Sequence, residues 1–96
     1  MQPSTALRNH KHRVLEIARA HCMRRLRVFG SVLHGTDREG SDLDLLVDVP
    51  QGTTLFDLAG FEEELREALG VPVQVITEGD LPQRIRGRVL AEAKPL

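Results

Sequence analysis

The sequence has very few of the residues that form disulfides, bind zinc or stack on bases. Its 96 residues include one cysteine, Cys22, three phenylalanines, and neither tryptophan nor tyrosine. A lone cysteine cannot form an internal disulfide and gives no zinc-ligand spacing. The scarcity of aromatic residues argues against a base-stacking platform, so we expect no stable binding of nucleic acid. Aliphatic side chains must therefore fill the core.

Long hydrophobic runs are also missing. No stretch approaches the roughly 18 to 20 apolar residues that a membrane-spanning helix needs, and the polar N-terminus lacks the apolar core of a signal peptide. We therefore expect a cytoplasmic protein with no membrane partner. The length suits one small domain, residues 1–96, with its functional groups on the rim of a single core.

Charges of one sign are scarce in parts of the chain, although the net charge is only −1. Residues 1–28 carry seven Lys or Arg against the single acid Glu16. Residues 36–67 carry ten acids against Arg38 and Arg66. The asymmetry is compatible with an acidic, cation-binding wall that faces a basic one, and solvated helix faces are the commoner explanation of such runs.

Hydrophobic periodicity predicts alternating helices and strands. Leu7, Val14, Leu15, Ala18 and Cys22 share one face of a predicted helix over residues 4–23. Strands are predicted over 26–30, 42–49 and 71–77. Ser31 caps a helical turn that stops at Gly35, Thr53 or Thr54 caps a helix that ends at Gly70, and Asp80 caps the last helix.

These elements predict an α/β (α+β) fold, with a mixed sheet of three or four strands flanked by helices. The helix before Gly70 is long enough to be a crossover. It makes the second and third strands parallel, or it places them on opposite sides of the first. Arg84, Arg86 and Arg88 lie on the last helix, where they either steer a nucleotide or an acidic partner or form a solvated face.

Two aspartates open the second predicted strand, DLDLLVDV, residues 42–49. Because side chains alternate across a strand, Asp42 and Asp44 lie on one face, while Leu43, Leu45, Val47 and Val49 form the core face. Neighbouring carboxylates repel each other unless they share a cation. A hard divalent ion such as Mg²⁺ prefers one or two carboxylates with water and substrate phosphates. For an isolated D-x-D motif, a loop cap followed by a solvated edge charge is the commoner interpretation.

A glycine–serine pair lies upstream of these acids. Gly30 and Ser31 end the first strand and open a helical turn, where free backbone N–H groups and a small hydroxyl suit an anion. Beside the carboxylates, this loop would hold the terminal phosphates of a nucleotide. The two motifs together predict a site for phosphate and metal.

The spacing of the two motifs resembles a known signature. Gly30-Ser31, ten residues, and then Asp42-Leu43-Asp44 is similar to the GS-x10-DxD signature of the DNA polymerase beta-like nucleotidyltransferase superfamily. The length and the order of elements resemble its minimal nucleotidyltransferases. The resemblance implies transfer of a nucleoside monophosphate, most often AMP, from ATP or another nucleoside triphosphate to a hydroxyl group, with two Mg²⁺ ions. It also implies that Gly30 and Ser31 hold the triphosphate and that Asp42 and Asp44 are the catalytic metal ligands.

The chain departs from this family pattern at two places. The family's third carboxylate, in the next strand, corresponds to Gln74, whose amide oxygen can coordinate a metal but adds no charge and is no general base. The arginines that the family often carries after Gly-Ser and before the next glycine are replaced by Val32 and His34. His34 remains a candidate for contact with the nucleotide, and a simply exposed histidine is the alternative.

The resemblance also implies a partner. Similar proteins are commonly antitoxins encoded beside a small helical HEPN-type ribonuclease toxin, which they silence by adenylylating a tyrosine. The predicted acceptor is therefore a HEPN-type protein. A binding subunit without catalytic activity is the first alternative, motivated by Gln74, and an RNA nucleotidyltransferase is the second, against which the lack of a basic, aromatic surface argues.

Overall fold

The computed structural model describes residues 1–96 and contains four helices and four strands. None of the helices combines the length and the hydropathy that crossing a bilayer requires. The elements in chain order are α1 (Pro3–Ala20), β1 (Arg24–Phe29), α2 (Gly30–His34), β2 (Leu43–Asp48), α3 (Leu55–Leu69), β3 (Val73–Thr77), α4 (Gln83–Glu92) and β4 (Lys94–Pro95).

The sheet has the strand order β3-β2-β1-β4. β1 runs antiparallel to β2 and to β4, whereas β2 and β3 are parallel neighbours joined by the α3 crossover. The predicted mixed sheet is confirmed, with four strands. Of the two arrangements predicted for the second and third strands, the parallel pair is the one observed. β2, which follows Asp42, is thus a central strand with β1 and β3 on its two sides.

Helices cover both faces of the sheet. The alternation in β2 is confirmed, because Leu43, Leu45 and Val47 are buried in the large cluster that β2 forms with α1 and α3. On the opposite face Leu46 is also completely buried, in a small cluster with Phe29, Leu81 and Val89. The face that carries Asp44 is therefore covered by α4 at its middle, and Asp44 itself is half-buried.

The predicted ends of α3 are confirmed. Thr54 accepts a hydrogen bond from the Asp57 backbone N–H at 3.1 Å, and its own N–H donates to the Asp57 carboxylate at 2.9 Å. This reciprocal pair is a capping box. At the other end Gly70 adopts a φ of +69°, the left-handed conformation that ends many helices.

Three predicted helix ends are wrong. Ser31 does not cap α2, because the helix already begins at Gly30 with Phe29 at the cap position. Asp80 does not cap α4; it accepts the Thr77 hydroxyl within a 3₁₀ turn, and α4 starts only after Pro82, which has no N–H to donate. Cys22 lies beyond the end of α1 in an exposed left-handed turn, so it does not join the core face.

Asp37 caps α1 from a distance. It lies in the loop between α2 and β2, is only 8 % exposed, and its carboxylate accepts the Ser4 backbone N–H at 2.9 Å. Gln2, at the cap position of α1, gives no side-chain cap. The hydrogen bond from Ser4 lowers the pKa of Asp37. The loop that follows the glycine–serine turn is thereby fixed to the first helix.

Replacing Asp37 with alanine should destabilise the protein by about 1 kcal/mol at neutral pH, since a helix cap is lost. A carboxyl group whose pKa is lowered by folding stabilises the native state above its ordinary pKa, and this contribution disappears as the pH falls. Urea unfolding at pH 7 and at acidic pH should therefore show a smaller difference from the wild type in acid. Glu39→Ala, two residues away and exposed, is the control, and an equal loss in both variants would contradict the cap.

Candidate functional site

Gly30 and Asp44 lie against each other because β1 and β2 are antiparallel. Phe29 pairs with Asp44 across the two strands, so the next residue, Gly30, meets the Asp44 side chain. A Cβ atom on Gly30 would collide with Asp44 Oδ2, and Gly30 also has a φ of +73°. Only glycine satisfies both conditions at once. The structure thus brings the glycine–serine turn and the second aspartate into direct contact, as the motif spacing predicts.

The two aspartates of the motif have no protein cation beside them. Asp42 is exposed just before β2, Asp44 is half-buried within it, and no ion pair of the chain includes either residue. Burial, and next the negative charge of Asp42, raise the pKa of Asp44 to about 6. The ionised Asp44 carboxylate is therefore destabilised at neutral pH, chiefly by its burial, and a bound cation would stabilise it.

Gln74 lies directly beside Asp44. The two residues pair in the parallel register of β2 and β3, and the Gln74 side chain is exposed. α3 fixes the strand on both sides of it: Arg66 donates to the Val73 carbonyl at 3.0 Å, and the Glu62 carboxylate accepts the Val75 N–H at 2.8 Å. The predicted third position of the site is thus occupied by a neutral amide.

Other acids in the neighbourhood do not take the place of a third carboxylate. Arg27, which is only 7 % exposed, donates to Asp48 at 2.9 Å and to Glu78 at 3.2 Å. Asp80 accepts the Thr77 hydroxyl at 3.0 Å. These acids are engaged in structural contacts, so the charged donors of the site are Asp42 and Asp44 alone.

The donor set fits Mg²⁺ bound largely by water and substrate. No group of three or more His, Cys, Asp or Glu side chains is arranged to hold a metal. Mg²⁺ usually keeps several waters and takes one or two carboxylates together with phosphate oxygens. Asp42 and Asp44 supply that number, and the unrelieved repulsion between them is the feature that such an ion would neutralise.

A cleft of about 580 Å³ opens beside this site, between α2 and α4. Gly30 lines the cleft and touches Asp44, so it joins the cleft to the carboxylates. The ring Nε2 of His34 lies 3.1 Å from Glu92 Oε2 across the cleft. The nine lining residues are Phe29, Gly30, Ser31, His34, Thr36, Ile85, Arg88, Val89 and Glu92.

The sequence motifs account for one wall of this cleft only. The predicted residues Gly30, Ser31 and His34 lie together in it. On the other wall α4 contributes Arg88, one of three arginines for which the sequence left a nucleotide-steering role and a solvated face open. The helical spacing of Ile85 and Val89 in the sequence indicates that this face of the helix is buried. It does not indicate which part of the sheet the face packs against. The assignment of Arg88 to the cleft needs the docking of α4 on the sheet.

Replacing Asp44 with asparagine should raise the melting temperature of the metal-free protein at pH 7.5, because a strained charge is removed. Folding raises the pKa of Asp44, so the folded state binds the proton more tightly than the unfolded state. The wild type is therefore relatively most stable at low pH and loses stability as the pH rises towards about 6. The advantage of Asp44→Asn should vanish as the pH falls through this range.

Asp42→Asn, at the exposed aspartate, is the matched control, and its melting temperature should rise less than that of Asp44→Asn. Thermal melts between pH 4.5 and 8 in the presence of a chelator provide the measurement. Equal melting temperatures of the wild type and Asp44→Asn at pH 7.5 would show that the charge of Asp44 does not destabilise the fold.

Comparison with known proteins identifies the family of this chain. The sequence model of the nucleotidyltransferase domain family matches residues 7–96. A Methanocaldococcus jannaschii protein provisionally named a protein adenylyltransferase is 35% identical over 83 residues, which cover 86% of this chain and 89% of that protein. Protein adenylyltransferase MntA of Thermococcus cleftensis is 36% identical over 70 residues, 73% of this chain and 71% of that protein.

Solved structures have the same fold. A structure described as a candidate minimal nucleotidyltransferase is 45% identical and superposes with a TM-score of 0.84 over 97% of this chain and 95% of that one. A toxin–antitoxin structure with AMP-PNP gives a TM-score of 0.76 over 88% of this chain and 70% of that one; at 18% identity it supports the fold alone. The predicted fold and the predicted class of enzyme are thus confirmed, and the protein belongs to the nucleotidyltransferase domain family.

Proposed function

We propose that this protein is a Mg²⁺-dependent protein adenylyltransferase, which transfers AMP from ATP to a hydroxyl group of a partner protein. The observation that carries the proposal is the contact of Gly30 with Asp44 at the edge of the α2–α4 cleft. This contact joins a phosphate-binding turn to two carboxylates that have no ion-pair partner in the chain. Two relatives that carry the name protein adenylyltransferase, each more than 30% identical, support the choice of AMP and of a protein acceptor.

The residues have separate tasks in this proposal. Gly30 and Ser31 bind the triphosphate, His34 contacts the nucleotide, and Asp42 and Asp44 hold Mg²⁺. Bound Mg²⁺ supplies charge stabilisation for an in-line displacement at phosphorus. The acceptor oxygen forms a bond to the α-phosphorus, the bond to the β-phosphate oxygen breaks, and pyrophosphate leaves with that electron pair. Gln74 is no base, so the hydroxyl proton passes to water.

The acceptor is external in this proposal. The chain has no tyrosine, so it cannot modify its own tyrosine. We propose a small helical HEPN-type toxin as the partner, which makes this chain the antitoxin of a pair in the cytoplasm, with residues 1–96 acting as one domain. The toxin–antitoxin structure with AMP-PNP shares the fold of this chain, so the fold is compatible with an assembly of this kind.

The test is transfer to a purified HEPN-type protein in the presence of ATP and Mg²⁺. Intact-mass spectrometry should show the added mass of one adenylyl group, and a tyrosine should carry it. The Asp42→Asn/Asp44→Asn double variant and a reaction with chelator are the controls, and both should show no transfer. A wild type that neither transfers AMP nor binds ATP with Mg²⁺ would overturn the proposal.

A binding subunit without catalytic activity is the second candidate. Gln74 favours it, because the position beside Asp44 carries no third charge. This candidate predicts a tight complex with the partner and no adenylyl group on it. Transfer by the wild-type protein would exclude it.

A further inference from the structure

We propose that Arg88 of α4 binds the triphosphate of the nucleotide and supplies the positive charge that the glycine–serine turn lacks. This inference rests on the proposed function and names a residue that the motif does not contain. Arg88 lines the cleft on the wall opposite α2. The cleft then has a phosphate-binding group on each of its two walls.

The ionisable groups of the cleft leave Arg88 as the available cation. The lining residues include three such groups, His34, Arg88 and Glu92. His34 and Glu92 already face each other, with 3.1 Å between Nε2 and Oε2. The Arg88 side chain is exposed and takes part in no side-chain hydrogen bond or ion pair of the chain. It is therefore the permanent positive charge of the cleft that remains free for a ligand.

A nucleoside triphosphate needs such a charge here. Gly30 brings no side chain, Ser31 brings a neutral hydroxyl, and the nearby acids Asp42 and Asp44 attract phosphate only through a bound Mg²⁺. An arginine suits the task because its planar guanidinium presents a fork of donors to phosphate oxygens and keeps its charge at every accessible pH. On the α4 wall the apolar residues Ile85 and Val89 flank Arg88, and the other charged residue of that wall, Glu92, faces His34.

The three arginines of α4 have different surroundings, which provides a matched control. Arg86 donates to the carbonyls of Gly79 and Leu81, at 3.2 and 3.0 Å, so it is a structural residue. Arg84 lies one turn before Arg88, is also exposed, and does not line the cleft. Arg84→Gln and Arg88→Gln thus remove the same charge from the same helix, one outside the cleft and one inside it.

The experiment is calorimetric titration of ATP and of AMP, with Mg²⁺, into the full chain and its variants. Arg88→Gln should weaken ATP binding about ten- to a hundredfold, as expected for one charge-assisted contact. Arg84→Gln should change it less than about threefold. AMP, which lacks the outer phosphates, should lose less affinity than ATP in Arg88→Gln. Arg88→Lys should bind ATP with intermediate affinity, because it keeps the charge and loses the fork.

The outcomes separate this inference from the proposed function. Wild-type binding of ATP, with equal affinities in Arg88→Gln and Arg84→Gln, would overturn the role of Arg88 and leave the proposed function standing. A wild type that does not bind ATP would overturn both. Equal losses for ATP and AMP in Arg88→Gln would contradict a contact with the outer phosphates. Melting temperatures of the two glutamine variants should agree, because both side chains are exposed.

Discussion

Gly30→Ala should abolish Mg²⁺-dependent ATP binding, whereas the same substitution at Gly35 should leave it intact. Gly30 and Gly35 have nearly equal φ angles, +73° and +71°, so both variants carry the same backbone cost of about 1 kcal/mol. Only at Gly30 does the new methyl group meet a neighbour. That neighbour is the Asp44 carboxylate, which must rotate away from its position beside the turn.

The loss should therefore appear in binding much more than in stability. A Cβ on Gly30 lies 3.1 Å from Asp44 Cγ, so a rotation about the side-chain torsions of Asp44 relieves the contact without moving β2. Nothing lies within 4 Å of a Cβ on Gly35. Urea unfolding should give similar destabilisation for the two variants, while calorimetry should detect ATP binding only in Gly35→Ala. Intact binding in Gly30→Ala would show that the Asp44 carboxylate takes no part in the site.

Gln74→Glu should increase AMP transfer about a hundredfold or more, the usual contribution of a positioned general base. The new carboxylate stands beside Asp44 in the register of β2 and β3, where it adds a charged metal ligand and accepts the acceptor proton. The side chain is exposed, so the substitution disturbs no packing. Rates of transfer to the partner with saturating ATP and Mg²⁺ provide the measurement.

The same variant should show a second effect that does not depend on turnover. A third carboxylate adds repulsion to a pair already strained, as the raised pKa of Asp44 indicates. Gln74→Glu should therefore melt at a lower temperature than the wild type in chelator, and Mg²⁺ should restore the loss. Gln51→Glu, the same change in the exposed turn after β2, should show neither effect. Transfer by Gln74→Glu alone would make the natural protein a binding subunit.

Short-range patterns predicted much of the framework, because their physical causes lie within a few residues. Alternation assigned the two faces of β2, as Leu43 and Leu45 show. Thr54 and Gly70 end α3 through groups four or fewer residues away, so the sequence reveals both. Asp80 misled the assignment of α4 because Pro82, two residues later, determines where that helix begins.

The spacing of the two motifs was informative for a different reason. Gly30 follows β1 directly and Asp44 lies within β2, so antiparallel pairing of two consecutive strands brings them together. Consecutive elements are usually neighbours in space. The position of Gln74 depended on the family resemblance, because the crossover left two arrangements open and only the observed parallel pairing places it beside Asp44.

The sequence by itself determined the place of the glycine–serine turn after β1, the spacing of the two aspartates and the alternation that orients Asp44. The tertiary structure alone decided which other groups reach the site. Docking of α4 against Leu46 carries Arg88 into the cleft, and the buried Arg27 engages Asp48 and Glu78. These contacts join residues twenty or more positions apart, and they depend on packing free energies summed over the whole core, which no local pattern of residues encodes.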